Sequence, residues 1–160
     1  MLSRIEAFIR ERELIASGGE VTCLVSGGAD STCLWHALAA LGFRVSALYV
    51  NHGLREAESD EDARFCREAF GAEVVEATGA TEADLRELRY SFATDRLRAT
   101  GHTASDQVET VLYRLVSSGT TKGIKARRED GVVRPLLGIW REETQAYCRE
   151  RGLPFRTDSS

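Results

Sequence analysis

No stretch of the sequence stays apolar for the ~18 residues that a membrane-spanning helix needs. The opening Met1-Leu2-Ser3-Arg4-Ile5-Glu6 lacks the basic-then-apolar layout of a secretory signal. A cytoplasmic location without a membrane partner is the expectation. The cysteines, Cys23, Cys33, Cys66 and Cys148, form no CxxC pair, which argues against zinc or iron–sulfur ligation. A cytosolic chain gives no reason to expect a disulfide framework, and Cys23 and Cys33 sit among apolar neighbours as small core residues. An excess of positive charge is missing too. The formal net charge of −4 does not suggest a nucleic-acid binder by bulk electrostatics, although a local basic patch can act alone. The best local candidate runs from Lys122 to Arg134, with Lys125, Arg127 and Arg128 between them, and reads as a solvated surface loop. Repeats, low-complexity segments and linkers are absent, so the 160 residues read as one domain with a real core.

What is present is an alternation of strand and helix. A short amphipathic helix begins with Ile5, Phe8 and Ile9, runs to about Ala16 and is broken by Gly18-Gly19. Apolar strands are expected at Val21–Val25, Arg44–Val50 and Glu73–Ala77, a short one at Arg98–Gly101, and a fifth at Val132–Leu137. Between them fall helices from Asp30 to Leu41, from Ser59 to Gly71, and from Thr81 through Asp84, Leu85, Leu88 and Phe92. Val108, Val111, Leu112, Leu115 and Val116 carry a helical stripe, and Arg141–Arg151 forms a last helix before Gly152 and Pro154. This order predicts an α/β fold, a parallel five-stranded sheet with helices on both faces, Rossmann-like. Ligands of such sheets sit beyond the carboxyl ends of the strands, where Ser26–Ser31, Asn51-His52-Gly53 and Gly101-His102 all fall.

The segment Ser26-Gly27-Gly28-Ala29-Asp30-Ser31 joins the first strand to a helix. Its glycines let backbone amides approach an anion, and the helix that follows offers unpaired N–H groups and the positive end of its dipole. Together these make a phosphate cradle, to which Ser26 and Ser31 add hydroxyls. The loop is neither a Walker A motif nor GxGxxG, and it holds no lysine, so terminal-phosphate transfer is disfavoured. Asp30 is unusual in an anion site. It is suited to holding Mg²⁺ beside the phosphates or to capping the helix.

Ser-Gly-Gly-x-Asp-Ser resembles the signature of the PP-loop ATP pyrophosphatases. Further stretches narrow the likeness: Asn51-His52-Gly53-Leu54-Arg55, Arg86-Glu87-Leu88-Arg89-Tyr90, Gly101-His102 followed by Asp106-Gln107-Val108-Glu109-Thr110, and Arg134-Pro135-Leu136-Leu137. Their order is similar to that of the catalytic domain of the tRNA(Ile)-lysidine synthetase family. Ser105 stands where that family usually has an acidic residue. The chain is read as a single PP-loop ATP-binding domain over residues 1–160, cut short at its C-terminal end.

The resemblance implies a ligase using ATP and Mg²⁺. It would adenylate the C2 oxygen of the wobble cytidine of a CAU-anticodon tRNA(Ile), releasing pyrophosphate, and the ε-amine of L-lysine would then attack C2 and expel AMP. Expected at the ATP are Ser26, Gly27, Gly28, Ala29, Asp30, Ser31, His52 and Gly101, with Asp30 as metal ligand. Expected in the chemistry are Asp30, His102, Asp106 and Glu109. His102 would contact the α-phosphate or move a proton. Asp106 and Glu109 would bind Mg²⁺ or the lysine ammonium, or simply place negative charge at a helix N-terminus. Arg55, Arg86, Arg89 and Arg114 are candidates for tRNA or phosphate contact. The alternatives are another PP-loop tRNA-modifying or amidating enzyme, and a module that binds ATP without turnover.

Overall fold

The computed structural model describes residues 1–51, 56–77 and 90–157. In chain order the elements are α1 (Leu2–Glu11), β1 (Glu20–Leu24), α2 (Ala29–Ala40), β2 (Arg44–Asn51), α3 (Glu56–Phe70), β3 (Glu73–Glu76), β4 (Arg98–Ala99), α4 (Ala104–Ser118), β5 (Val132–Val133) and α5 (Arg141–Glu150). The strands form one parallel sheet in the order β3-β2-β1-β4-β5, as the alternation predicts. The chain builds outward from β1 through β2 to β3, then returns to place β4 on the other side of β1. The switch point therefore lies between β1 and β4, whose outgoing loops hold Ser26–Gly28 and Gly101–His102.

Alternation along the strands explains why both faces are covered. Cys23, Ala47, Ala99 and Val133 point into a core shared with Cys33, Leu34, Ala37 and Leu38 of α2. Their neighbours Leu24, Leu48 and Val132 point the other way, into a smaller cluster with Tyr90. Small residues on the first face let α2 lie close to the sheet. α5 packs on α2 through Tyr147 and Cys148, and His36 Nδ1 lies 2.7 Å from the Tyr147 hydroxyl. All four cysteines are free and buried, Cys66 and Cys148 as well as the two expected in the core. Among the described residues no helix is long and apolar enough to cross a membrane.

Several boundaries differ from expectation. α1 ends at Glu11, because the chain turns at Glu13 (φ 52°) to bury Leu14 and Ile15. α3 starts earlier, at Glu56. β4 and β5 are each 2 residues long. Pro135 has no amide to extend β5, and the chain turns there, with the Ile139 amide donating to Leu136 O at 2.9 Å. Of the helix expected from Thr81 through Phe92, residues 81–89 lie outside the described residues, and Tyr90 and Ser91 are helical.

The largest difference concerns α4. The helix forms with the expected periodicity, yet none of its residues is buried. Val108, Leu112, Leu115 and Val116 are 44–88% exposed. Polar contacts hold α4 instead. Thr103 and Asp106 form a capping box at its start. The Ala104 amide donates to Ile139 O, and the Gln107 side chain binds both backbone groups of Ile124.

Candidate active site

The loop after β1 turns at Gly27, whose φ of +87° is open to glycine. Gly28 then caps α2 with no side-chain acceptor. Among the described residues the first-turn amides of Ala29, Asp30 and Ser31 meet no acceptor, so the helix presents free donors and its positive end. The amides of Ser26 and Gly28 are engaged internally. The Ser26 amide donates to Ser31 Oγ at 3.0 Å, and the Gly28 amide makes a long 3.3 Å contact with Ser26 Oγ. The Ser31 hydroxyl is buried and braces the turn. It stiffens the cradle from within.

Gly101 holds this loop from the neighbouring strand. A Cβ there would lie 3.1 Å from Asp30 C and 3.2 Å from Ser31 N. Its close approach is therefore to the start of α2, where an ATP contact was expected. Asp30 does not cap its helix. Thr144 Oγ1 donates to Asp30 Oδ1 at 2.5 Å, and Arg141 Nε lies 3.8 Å from Oδ2. Burial pushes the Asp30 carboxyl above its ordinary value and the charge of Asp106 adds to this, while Thr144 and Arg141 pull it back.

Arg141 connects the separate parts of the site. Besides Asp30 it reaches Asp106 Oδ1 at 2.9 Å and Glu109 Oε1 at 3.2 Å, and its amide donates to Ser105 Oγ at 3.1 Å. Burial opposes its charge, but Glu109, Asp106 and Asp30 hold its pKa above the ordinary value. One guanidinium facing three carboxylates leaves an uncompensated negative charge. Asp106 also takes up the helix-end role its position suggests, since its Oδ2 accepts from the Thr103 amide at 2.8 Å as part of a capping box.

Two clefts meet at this cluster. The smaller, about 370 Å³, is lined by Ser26, Gly28, Ala29, Asp30, Arg141 and Arg156 with their neighbours. The larger, about 850 Å³, runs along α4 and includes His102, Asp106, Glu109, Arg114, Lys125 and Arg134. His102 is oriented by a 2.7 Å hydrogen bond between its Nδ1 and Thr100 Oγ1. Tyr90 and Tyr113 also line the larger cleft, and the Arg128 guanidinium stacks 4.3 Å above the Tyr90 ring.

The basic stretch is only partly the solvated loop expected from its charge: Lys122, Lys125 and Arg127 are exposed. Arg134 is buried and donates to Lys125 O, Arg127 donates to Leu14 O at 3.0 Å, and Lys125, Arg128 and Arg134 wall the larger cleft. Arg114 lies at this cleft too, with Nη1 donating to Lys122 O at 2.9 Å and Gly123 O at 3.1 Å. His52, Arg55, Arg86 and Arg89 lie outside the described residues.

Sequence reasoning missed Arg141 and Arg156. Arg141 had a signal: it is the first residue of α5, where the helix dipole disfavours a cation. Arg156 had none. Tertiary structure brings it over the loop, its amide donating to Gly27 O at 2.9 Å and its side chain pairing with Glu61 and Asp62.

The sequence profile of the PP-loop domain matches residues 2–160. The chain belongs to the PP-loop domain family. Among its relatives is the tRNA(Ile)-lysidine synthase of Solibacter usitatus, 42% identical over 166 residues, an alignment covering 92% of this chain and 38% of that protein. The enzyme of the same name from Geobacillus kaustophilus is 36% identical over 206 residues, covering 100% of this chain and 41% of the relative. The PP-loop chain thus spans about two fifths of their length. In fold it is similar to the U34-tRNA thiolase NcsA from Methanococcus maripaludis, with a TM-score of 0.68 at 17% identity over 99% of this chain and 65% of that one. The NH3-dependent NAD synthetase of Campylobacter jejuni gives 0.55 at 19% identity, over 94% of this chain and 71% of that one.

Proposed function

We propose that this PP-loop domain binds ATP in the smaller cleft, with the pyrophosphate end on the loop after β1. There it would activate the wobble cytidine of a CAU-anticodon tRNA(Ile) as an adenylate for attack by L-lysine, releasing AMP and pyrophosphate. The observation that carries the reading is the open first turn of α2, with Asp30 and Arg141 beside it and a second, larger cleft beginning where their ion cluster ends. The alignment with relatives named tRNA(Ile)-lysidine synthase supports this choice of substrates.

In this reading the amides of Ala29, Asp30 and Ser31 and the Arg156 side chain receive the phosphate oxygens. The loop glycines, Gly27 and Gly28, let the chain come close. The larger cleft takes the RNA: Tyr90 and Tyr113 offer faces for a splayed base, and Arg114, Lys125, Arg128 and Arg134 attract the backbone. His102, held by Thr100, stands in that cleft to contact the α-phosphate or move the proton of the attacking amine. Asp106 and Glu109 hold the lysine ammonium against their excess negative charge. The donor set also fits Mg²⁺, which binds through one or two carboxylates together with phosphate oxygens and water. Asp30 would hold it, and it would neutralise charge on the phosphates.

The thiolase-like reading is weaker. The thiolase relative in fold carries an iron–sulfur cluster, whereas all four cysteines here are buried in the core. The test is to incubate the protein with ATP, Mg²⁺, lysine and a CAU-anticodon tRNA(Ile) transcript. Pyrophosphate release that needs both lysine and that tRNA is expected. Release that ignores either one contradicts the reading.

A further inference from the structure

Gln107 lies between Asp106 and Glu109, yet none of the chemistry proposed for the site uses it. Its side chain reaches across to the segment after α4. Nε2 donates to Ile124 O at 3.0 Å and the Ile124 amide donates to Oε1 at 2.5 Å. The primary amide so pairs with both backbone groups of one residue, as a neighbouring strand would. Gly123 sits against it: a Cβ at 123 would lie 2.8 Å from Gln107 Cδ and closer still to Oε1, so no larger residue fits while the bonds persist. Two helical turns on, Arg114 binds Lys122 O and Gly123 O from the same helix. Farther along, Arg134 Nη1 fastens Lys125 O at 2.6 Å, and the Arg134 amide donates to Ala126 O at 2.8 Å. Residues 122–126 are thus a strap, tied to α4 at one end and to the sheet edge at the other. Gly123, Ile124 and Lys125 of this strap form part of the larger cleft's wall.

We propose that Gln107 is a positioning residue which, with Gly123, sets this strap as the basic wall of the RNA cleft. Because α4 has no buried residue, apolar packing does not set the distance between helix and strap, and the paired amide does. The inference rests on the RNA reading of the larger cleft, but the state of the strap can be measured without RNA.

Three variants decide it: Gln107→Ala, Gly123→Ala and the double substitution. Trypsin cleavage after Lys122 and Lys125 reports the strap, anisotropy of a labelled CAU-anticodon stem-loop reports the cleft, and ATP titration reports the other site. Each single variant is expected to be cut at least about ten-fold faster and to bind the stem-loop about ten-fold more weakly, with ATP affinity unchanged. The double variant should match the singles, since removing the Gln107 amide makes room for the methyl added by Gly123→Ala. Cleavage at the wild-type rate in Gln107→Ala, or losses that multiply to about a hundred-fold in the double variant, would overturn the proposal. So would faster cleavage with unchanged stem-loop affinity. If the wild-type protein binds ATP but no stem-loop, the RNA reading fails, and cleavage alone decides whether Gln107 holds the strap.

Discussion

At the scale of single residues, Asp30 is the most sensitive position, because burial and the charge of Asp106 raise its pKa. A carboxyl with a raised folded-state pKa favours folding in its protonated form. That contribution is complete below the unfolded value and is lost as pH rises through the folded one. At neutral pH the charge on Asp30 therefore opposes folding. Asp30→Asn keeps an acceptor for Thr144, so it should raise Tm by about 1–2 °C at pH 7–8 after solvent screening, with no gain near pH 4. It should also abolish pyrophosphate release. Calorimetry across pH and a phosphate assay read the two effects. Gly101→Ala should weaken ATP binding by about ten-fold or more, because its methyl must displace the start of α2; isothermal titration measures this. The thiols of Cys23, Cys33 and Cys66 are pushed up to about 12 by burial, and that of Cys148 to about 11. Iodoacetamide at pH 8 should modify none in the native protein and all after denaturation, as mass spectrometry would show. Two of these positions were legible in sequence, Asp30 through its place in the loop and Gly101 beside His102. The reason for Gly101 was not, because contact between two loops far apart in the chain has no sequence signature.

Among the elements, the strands and helices around β1 and α2 follow their patterns closely, since both faces of those strands are buried and the apolar runs say so. α4 shows where periodicity stops being informative. A stripe at helical spacing predicts a helix, and the helix is there. The pattern does not say whether anything covers the stripe. In this chain Leu112 is 56% and Val116 88% exposed. Urea denaturation should accordingly find Leu112→Ser and Val116→Ser within about 0.5 kcal/mol of wild type. Leu34→Ala, at a fully buried position in α2, should cost about 2–5 kcal/mol. The basic stretch was legible in part. Charge counting assigns it to solvent, where Lys122, Lys125 and Arg127 are exposed, whereas Arg134 is buried and held by a main-chain carbonyl that only the folded chain brings near.

For the whole molecule, topology explains why the site exists where it does. Returning the chain to place β4 beside β1 opens the sheet's crevice between their loops. Gly101 then locks β4's loop onto α2, and Arg141 of the last helix closes the cluster from the far end of the sequence. The loop after β1, the carboxylates and the larger cleft are thereby joined without a single local segment encoding their arrangement. The central claim is that the first turn of α2 keeps its amides for the pyrophosphate end of ATP. Titrating pyrophosphate into uniformly ¹⁵N-labelled protein tests it directly. The amide resonances of Ala29, Asp30 and Ser31 should shift together and saturate, and ATP should displace the ligand. If those resonances stay in place while pyrophosphate binds elsewhere, the account of the site is wrong.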